Sequence, residues 1–146
     1  MNAVYIGADH AGFALKESLK KALSKQFEVK DLGAHKLQKD DDYPDIAAKV
    51  ARTVVKRKTK GILLCGSAEG ICIAANKIKG VRAVAVWTIE NARLSREHNN
   101  ANILCLSGWQ LAPKMAAKIA RTWLNTPFSS EARHKRRITK IARLEK

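Results

Sequence analysis

The apolar run Ile62-Leu63-Leu64-Cys65 ends in a thiol, passes into the loop Gly66-Ser67-Ala68-Glu69-Gly70, and continues as a helical pattern through Asn76. Strand, loop and helix in that order place Cys65 at the carboxyl end of a strand. The free N–H groups of the next helix then face its sulfur. Such a helix start attracts anions and favours thiolate over thiol. A reactive sulfur beside an anion cradle suits an enzyme acting on a negatively charged small molecule. The competing reading is a buried structural cysteine. The small loop residues, which let a ligand come close to the backbone, weigh for function.

Three further groups carry candidate chemistry. Asp9 and His10 follow the first strand within Gly7-Ala8-Asp9-His10-Ala11-Gly12. They are either two polar groups facing a cleft, or a helix cap and a surface histidine. His98 and Asn99 close a later helix, where a histidine either complements the helix dipole or serves as a proton donor and acceptor near neutral pH. Predicted near the strand ends, His98 suits the second role. Arg133 and Arg137 are four apart and share a helix face. Paired guanidinium groups suit a phosphate, and the alternative is a basic, solvated stripe. Cys72 and Cys105 have apolar neighbours and read as core.

These residues must be positioned by alternating strands and helices. Strands are predicted at 3–7, 27–32, 61–65, 81–87 and 103–106. Helices are predicted at 12–25, 43–58, 70–78, 89–97, 112–124 and 131–144, and the segment 33–43 reads as a loop. Pro44 fits a first helical turn, and Gly80 closes the short helix before it. Continuous apolar strands alternating with helices imply a parallel α/β sheet covered on both faces. Ligands then bind beyond the carboxyl ends of the strands. The terminal helix has no strand after it, and packs on its own domain or reaches a partner.

The chain has 146 residues, of which 46% are apolar, as expected of one globular domain. No apolar run approaches a membrane span. The N-terminus lacks the pattern of a signal peptide, which points to a cytoplasmic protein. Three cysteines without C-x-x-C spacing fit a reducing compartment and argue against a disulfide framework or a zinc site. The formal net charge of +15 admits nucleic acid, a phosphorylated substrate or a basic solvated surface. With only 5% aromatics and no nucleic-acid motif, the first is disfavoured.

Together, Gly7 to Gly12, Asp42-Tyr43-Pro44, Cys65-Gly66-Ser67, Ile73 to Lys77, Gly80-Val81-Arg82-Ala83, Arg96 to Asn102, and Arg133-His134 with Arg137 resemble the type B ribose-5-phosphate isomerase family, which includes the galactose-6-phosphate isomerase subunits. The motifs are weak singly, but they occur in family order along nearly the whole chain. The resemblance implies a Rossmann-like, three-layer, doubly wound sheet of five parallel strands with an extra C-terminal helix, as a single domain over residues 1–146. It implies a homodimer or a dimer of dimers with interface active sites. The implied reaction is reversible conversion of ribose 5-phosphate to ribulose 5-phosphate through a cis-enediolate, in the pentose phosphate pathway, without metal or organic cofactor.

By the same resemblance, Cys65 is the base that moves a proton between C2 and C1. Some members use a glutamate instead, where Ile71 stands here. Ser67 assists the ring or the enediolate, and the loop Gly66, Ser67, Ala68, Glu69, Gly70 supplies backbone donors. His98, with Asp9 nearby, opens the sugar ring, and Asn99 holds an oxygen. His10, Arg133 and Arg137 bind the phosphate, some of them from the partner, and Tyr43 lines the sugar pocket. Two departures mark this chain. Ala68 stands where the family usually has glycine, which narrows the cleft or alters the loop's angles. Trp109 stands where many members have an arginine near the phosphate, and packs against a sugar or the partner. An isomerase of a six-carbon sugar phosphate such as allose 6-phosphate, a non-catalytic sugar-phosphate sensor, and a basic nucleic-acid-binding protein are the alternatives.

Overall fold

A computed structural model describes residues 3–145. The order of elements is β1 (Ala3–Ala8), α1 (Phe13–Leu23), β2 (Glu28–Asp31), α2 (Tyr43–Arg57), β3 (Lys60–Cys65), α3 (Glu69–Asn76), β4 (Ala83–Ala85), α4 (Ile89–Asn99), β5 (Ile103–Ser107), α5 (Pro113–Asn125) and α6 (Ala132–Ala142). The five strands form one sheet in the order β2-β1-β3-β5-β4, and every pairing is parallel.

Alternate residues of the central strands feed two cores, as the two-residue strand period requires. Val4, Ile6, Ile62, Leu64, Leu104 and Leu106 pack on one face with Leu15 and Leu19 of α1 and Ile119 and Trp123 of α5. Tyr5, Leu63, Cys65, Ile103 and Cys105 pack on the other with Val50 and Val54 of α2 and Ile71 and Ala75 of α3. The predicted three-layer α/β arrangement is the one observed.

β4 is shorter than its apolar run, 81–87, suggests. It pairs only with β5, so its other side is an open edge. The Asn76 side chain blocks that edge, donating from Nδ2 to the Ala83 carbonyl and accepting the Ala83 N–H at Oδ1, each at 2.9 Å. An edge closed by a side chain offers no further ladder.

Two facts of topology matter for function. α1 leaves β1 toward one face while α3 leaves β3 toward the other. The crevice between these neighbouring strands is a topological switch point, where ligands bind in open α/β sheets. Second, a helix that links two parallel strands runs antiparallel to them. α4 therefore starts at the carboxyl pole of the sheet and ends at the amino pole.

Candidate active site

Cys65 is the last residue of β3, at the switch point. The backbone N–H of Asp9, just after β1, donates to the Leu64 carbonyl (3.2 Å), so the two strand ends are stitched together. The main-chain N–H groups of Ile71, Ala68 and Ser67 are oriented to favour an anion at the sulfur. The predicted cradle is therefore present. The thiol's pKa moves in the direction opposite to the expected one. Burial raises the Cys65 pKa above the ordinary thiol value, and the nearby Asp9 charge adds to this; the N–H donors offset only part of it. Cys65 is 4% exposed. A thiol at that depth loses more from desolvation of its anion than three donors return.

The loop reaches this geometry by holding Ala68 at φ +70°, in the left-handed region, as the residue before α3. An alanine there is strained where a glycine would not be. The strain turns the chain so that Ser67 Oγ meets the Glu69 N–H (3.4 Å). Glu69 itself is exposed in the first turn of α3, where a carboxylate suits the dipole. Two rings flank the loop. A Cβ on Gly66 would lie 2.5 Å from Trp109, and one on Gly70 would lie 2.6 Å from Tyr43. Both glycines are needed for these close approaches. Trp109 is 74% exposed. It is held by its own N–H on the Gly66 carbonyl (3.2 Å), beside Gly108 N–H on the Cys65 carbonyl (2.8 Å).

Asp9 is buried, and its Oδ1 accepts the Gly12 N–H at 3.0 Å. Burial raises its pKa. Asp9 is therefore not the cap of α1, which is Gly12, but closes the turn that leads into it. His10 is exposed and bonds Asp41 through its ring Nδ1 (2.8 Å) and its backbone N–H (3.0 Å). That ring hydrogen bond raises the His10 pKa, with Asp9 and Asp40 contributing, so the imidazole keeps its proton to higher pH. A cationic imidazole suits a phosphate. Asp41 is a site residue that sequence reasoning missed. It lies in a polar run thirty-one residues from His10, and no local pattern singles it out. Asp9, His10 and Asp41 bring ligand-type atoms within 4.8 Å of one another, and their hydrogen bonds to each other and to the backbone account for that grouping.

The remaining predicted residues lie elsewhere, which corrects the placing of His98 near the carboxyl ends of the strands. Asn102, just past α4, accepts the Gly61 N–H (2.9 Å) and donates its own to the Arg82 carbonyl (3.0 Å). Those contacts fix the end of α4 at the amino end of the sheet. Cys65 stands at the other end of β3, roughly 13 Å away at the usual strand rise. His98 is half-buried and stacks on His134 with ring centroids 4.4 Å apart. Asn99 is exposed beside it. α6 lies across the same pole, from Ser129 N–H on the Glu97 carbonyl (3.2 Å) to the Glu145 carboxylate on the Gly80 N–H (3.0 Å).

Arg133 and Arg137 are exposed on α6, and Arg133 pairs with Glu131 (2.9 Å). His134 is buried, and burial together with His98 and Arg133 lowers its pKa, which favours the neutral ring. Its Nε2 has no hydrogen-bond partner among the described residues. The candidate residues thus fall into two groups at opposite poles of the sheet. The carboxyl pole holds Cys65, Ser67, Asp9, His10, Tyr43 and Trp109. The amino pole holds His98, Asn99, Arg133 and Arg137.

With this geometry in hand, the chain was compared with known proteins. The family model described as Ribose/Galactose Isomerase matches residues 4–141. A probable ribose-5-phosphate isomerase B from Mycoplasma genitalium is 45% identical over 146 residues, covering 98% of this chain and 95% of that one. Ribose-5-phosphate isomerase B from Mycobacterium tuberculosis is 41% identical, over 98% and 90%. Among solved structures, the Mycoplasma genitalium ribose-5-phosphate isomerase B with bound ribulose-5-phosphate superposes with a TM-score of 0.93 at 44% identity, over 98% and 95% of the chains. The Trypanosoma brucei type B ribose 5-phosphate isomerase superposes with a TM-score of 0.95 at 41% identity, over 99% of both.

Proposed function

The chain belongs to the ribose/galactose isomerase family, and on that premise we propose that it interconverts ribose 5-phosphate and ribulose 5-phosphate, with Cys65 as the base. The observation that carries this reading is the Cys65 sulfur at the switch point, in the cradle of Ser67, Ala68 and Ile71 N–H groups. In the open-chain aldose, Cys65 as thiolate takes the C2 proton. The electron pair forms the C1–C2 double bond and the C1 carbonyl electrons move to oxygen, giving a cis-enediolate in which the C2 hydroxyl proton passes to the C1 oxygen. Cys65 then returns a proton to C1 while the C2 oxygen becomes the carbonyl. C1 is reduced as C2 is oxidised within one molecule, so the step balances without an external oxidant or reductant.

General acid–base help of this kind contributes about 10²–10⁴-fold. The loop amides and Ser67 stabilise the enediolate as its charge develops, when a preorganised donor matters most. Tyr43 and Trp109 wall the sugar on either side of the loop.

Ring opening needs a proton carrier, and phosphate binding needs cations. We assign the first to His98 with Asp9, and the second to His10, Arg133 and Arg137, with Asn99 on a sugar oxygen. His98, Asn99 and the two arginines sit at the amino pole of their own chain, so in this reading they come from a second copy. A two-fold dimer that sets each carboxyl pole against the partner's amino pole builds two such sites, because an isologous contact repeats itself. Among the described residues no helix is long and apolar enough to cross a membrane. We place the enzyme in the cytoplasm and its reaction in the pentose phosphate pathway.

The test is turnover of a panel of five- and six-carbon aldose phosphates by the purified protein. Ribose 5-phosphate should give ribulose 5-phosphate with the highest kcat/KM. Higher kcat/KM on allose 6-phosphate would transfer the assignment to a six-carbon substrate, and binding without turnover would make the protein a sensor.

A further inference from the structure

A cavity of about 820 Å³ opens at the amino pole, between the first residues of β1 and β3, the end of α2 and the end of α4. That volume is typical of small-molecule sites. Its wall carries six cations: Lys30, Arg57, Lys58, Lys60, Arg82 and Arg96. Cys65, His98, Asn99, Arg133 and Arg137 are not among its lining residues.

Among the described residues the inner cations have no ion-paired counter-ion. Arg96 is only 6% exposed. Its guanidinium donates to the Thr126 carbonyl (3.1 Å), Asn100 Oδ1 (2.9 Å) and the Ala101 carbonyl (2.6 Å), all of them neutral oxygens. Lys60 Nζ donates to the Leu124 carbonyl (3.0 Å). Arg82 donates to the Asn99 carbonyl at 3.1 Å and to the Asn100 carbonyl at 3.1 and 2.9 Å. No carboxylate among the described residues forms an ion pair with any of these three. Glu145 lies near enough to favour the Arg82 charge, but its oxygens are taken by the Gly80 N–H. Burial and then Arg96 push the Lys60 pKa down to about 8, which registers the crowding of like charge.

Buried charges are ordinarily paired, because desolvation without a partner is costly. Helix ends do not close the balance. α2, α4 and α5 all finish at this pole, and each C-terminus offers only about half an elementary charge. Six full charges on the wall exceed that several-fold.

We propose that this cavity binds a small anion made of linked phosphates, such as inorganic tripolyphosphate or the phosphate chain of a nucleoside triphosphate. Lys60, Arg82 and Arg96 hold one end in the depth of the cavity. Lys30, Arg57 and Lys58 at the exposed rim hold the other. Charges distributed over both depth and rim fit a chain of phosphates better than one phosphate. A nucleic-acid strand fits poorly, because both lining aromatics, Tyr5 and Phe27, are buried and offer no open ring face to a base.

The experiment is calorimetric titration of the whole protein with sodium tripolyphosphate, with ATP and inorganic phosphate in parallel. The expected result is one tripolyphosphate per chain, with inorganic phosphate much weaker. Equal affinity for ATP identifies the phosphate chain as the whole ligand, and a tighter fit of ATP identifies a nucleotide. Lys60→Met should weaken binding roughly tenfold or more, the effect of one lost charge-assisted contact. It should leave isomerase turnover unchanged. Lys30→Ala with Lys58→Ala, at the exposed rim where folding is not at stake, should weaken binding to a similar degree. The proposal fails if tripolyphosphate does not bind, if a single-stranded oligonucleotide binds in its place, or if binding survives both sets of substitutions and is lost with Arg137→Ala.

Discussion

The two poles of this sheet treat charge in opposite ways. At the carboxyl pole every buried ionic group has a partner close by. Lys16 is fully buried, yet its ammonium meets the Asp31 carboxylate at 2.9 Å and also donates to the Ala34 carbonyl. Asp9 is held by the Gly12 N–H, and three amides favour an anion at Cys65. At the amino pole, Arg96, Lys60 and Arg82 hydrogen-bond only neutral oxygens among the described residues, and Arg133 and Arg137 are exposed. One pole pairs its charged groups, with the buried Asp41 Oδ2 as the exception, and it is the pole to which we assign the proton transfer. The other is cationic and unfinished within one chain, the condition of a surface that meets an anion or a second copy.

The largest effect expected at the satisfied pole follows Cys65→Ala. It should reduce kcat by about 10²–10⁴-fold, the usual share of a general base, while thermal melting stays close to wild type. Full turnover in this variant would remove the thiol from the mechanism. Asp31→Asn should cost about 3–5 kcal/mol, because it takes from fully buried Lys16 its nearest counter-ion and leaves only the longer Glu17 contact at 3.7 Å. Denaturant unfolding measures it. Near-neutral stability of this variant would erase the contrast between the poles.

That ion pair also sets an acid limit. Burial alone would raise the Asp31 pKa, but Lys20, Lys16 and the Gly33 N–H outweigh it and leave it below the ordinary carboxylate value. A lowered folded-state pKa stabilises above the unfolded-state value and loses that contribution as pH falls through the folded-state value. The wild type should therefore lose stability on acidification more steeply than Asp31→Asn, as paired melts across the acid range would record.

The raised Cys65 pKa has the opposite signature, in rate. Thiolate accumulates as pH rises, so kcat/KM for ribose 5-phosphate should climb above neutrality toward the thiol's pKa. Asp9→Asn removes a charge that opposes the thiolate, and should move this limb to lower pH even if it lowers the maximum rate. A flat profile in both proteins would rule out titration of the thiol. The smallest effect is expected from Ala68→Gly. It relieves a left-handed alanine and should stabilise by about 1 kcal/mol. A loss of stability would show that the methyl's burial outweighs the strain.

The strand–helix alternation was legible because β1, β3 and β5 are continuous apolar runs that only a doubly covered sheet can bury. β4 read too long, since Trp87 is apolar for packing rather than for pairing and Val86 adds only one N–H to the Cys105 carbonyl (3.3 Å). The Cys65 cradle was legible from its small-residue loop. The direction of the thiol's pKa shift was not, because it depends on burial and on Asp9, which belongs to a different strand. His98 was recognised as a helix-end histidine but assigned to the wrong pole, although the antiparallel course of a crossover helix already fixes which end it occupies. Asp41 and the His98–His134 stack join residues far apart along the chain, and local patterns carry no trace of such pairs.

The central claim is that the carboxyl pole of one copy and the amino pole of another form one isomerase site. Mixed refolding of equal amounts of Cys65→Ala and His98→Asn chains tests it. The account predicts recovery of about a quarter of wild-type turnover, because half of the dimers then hold one intact site out of two. Turnover no higher than that of the two inactive variants refolded separately would contradict it.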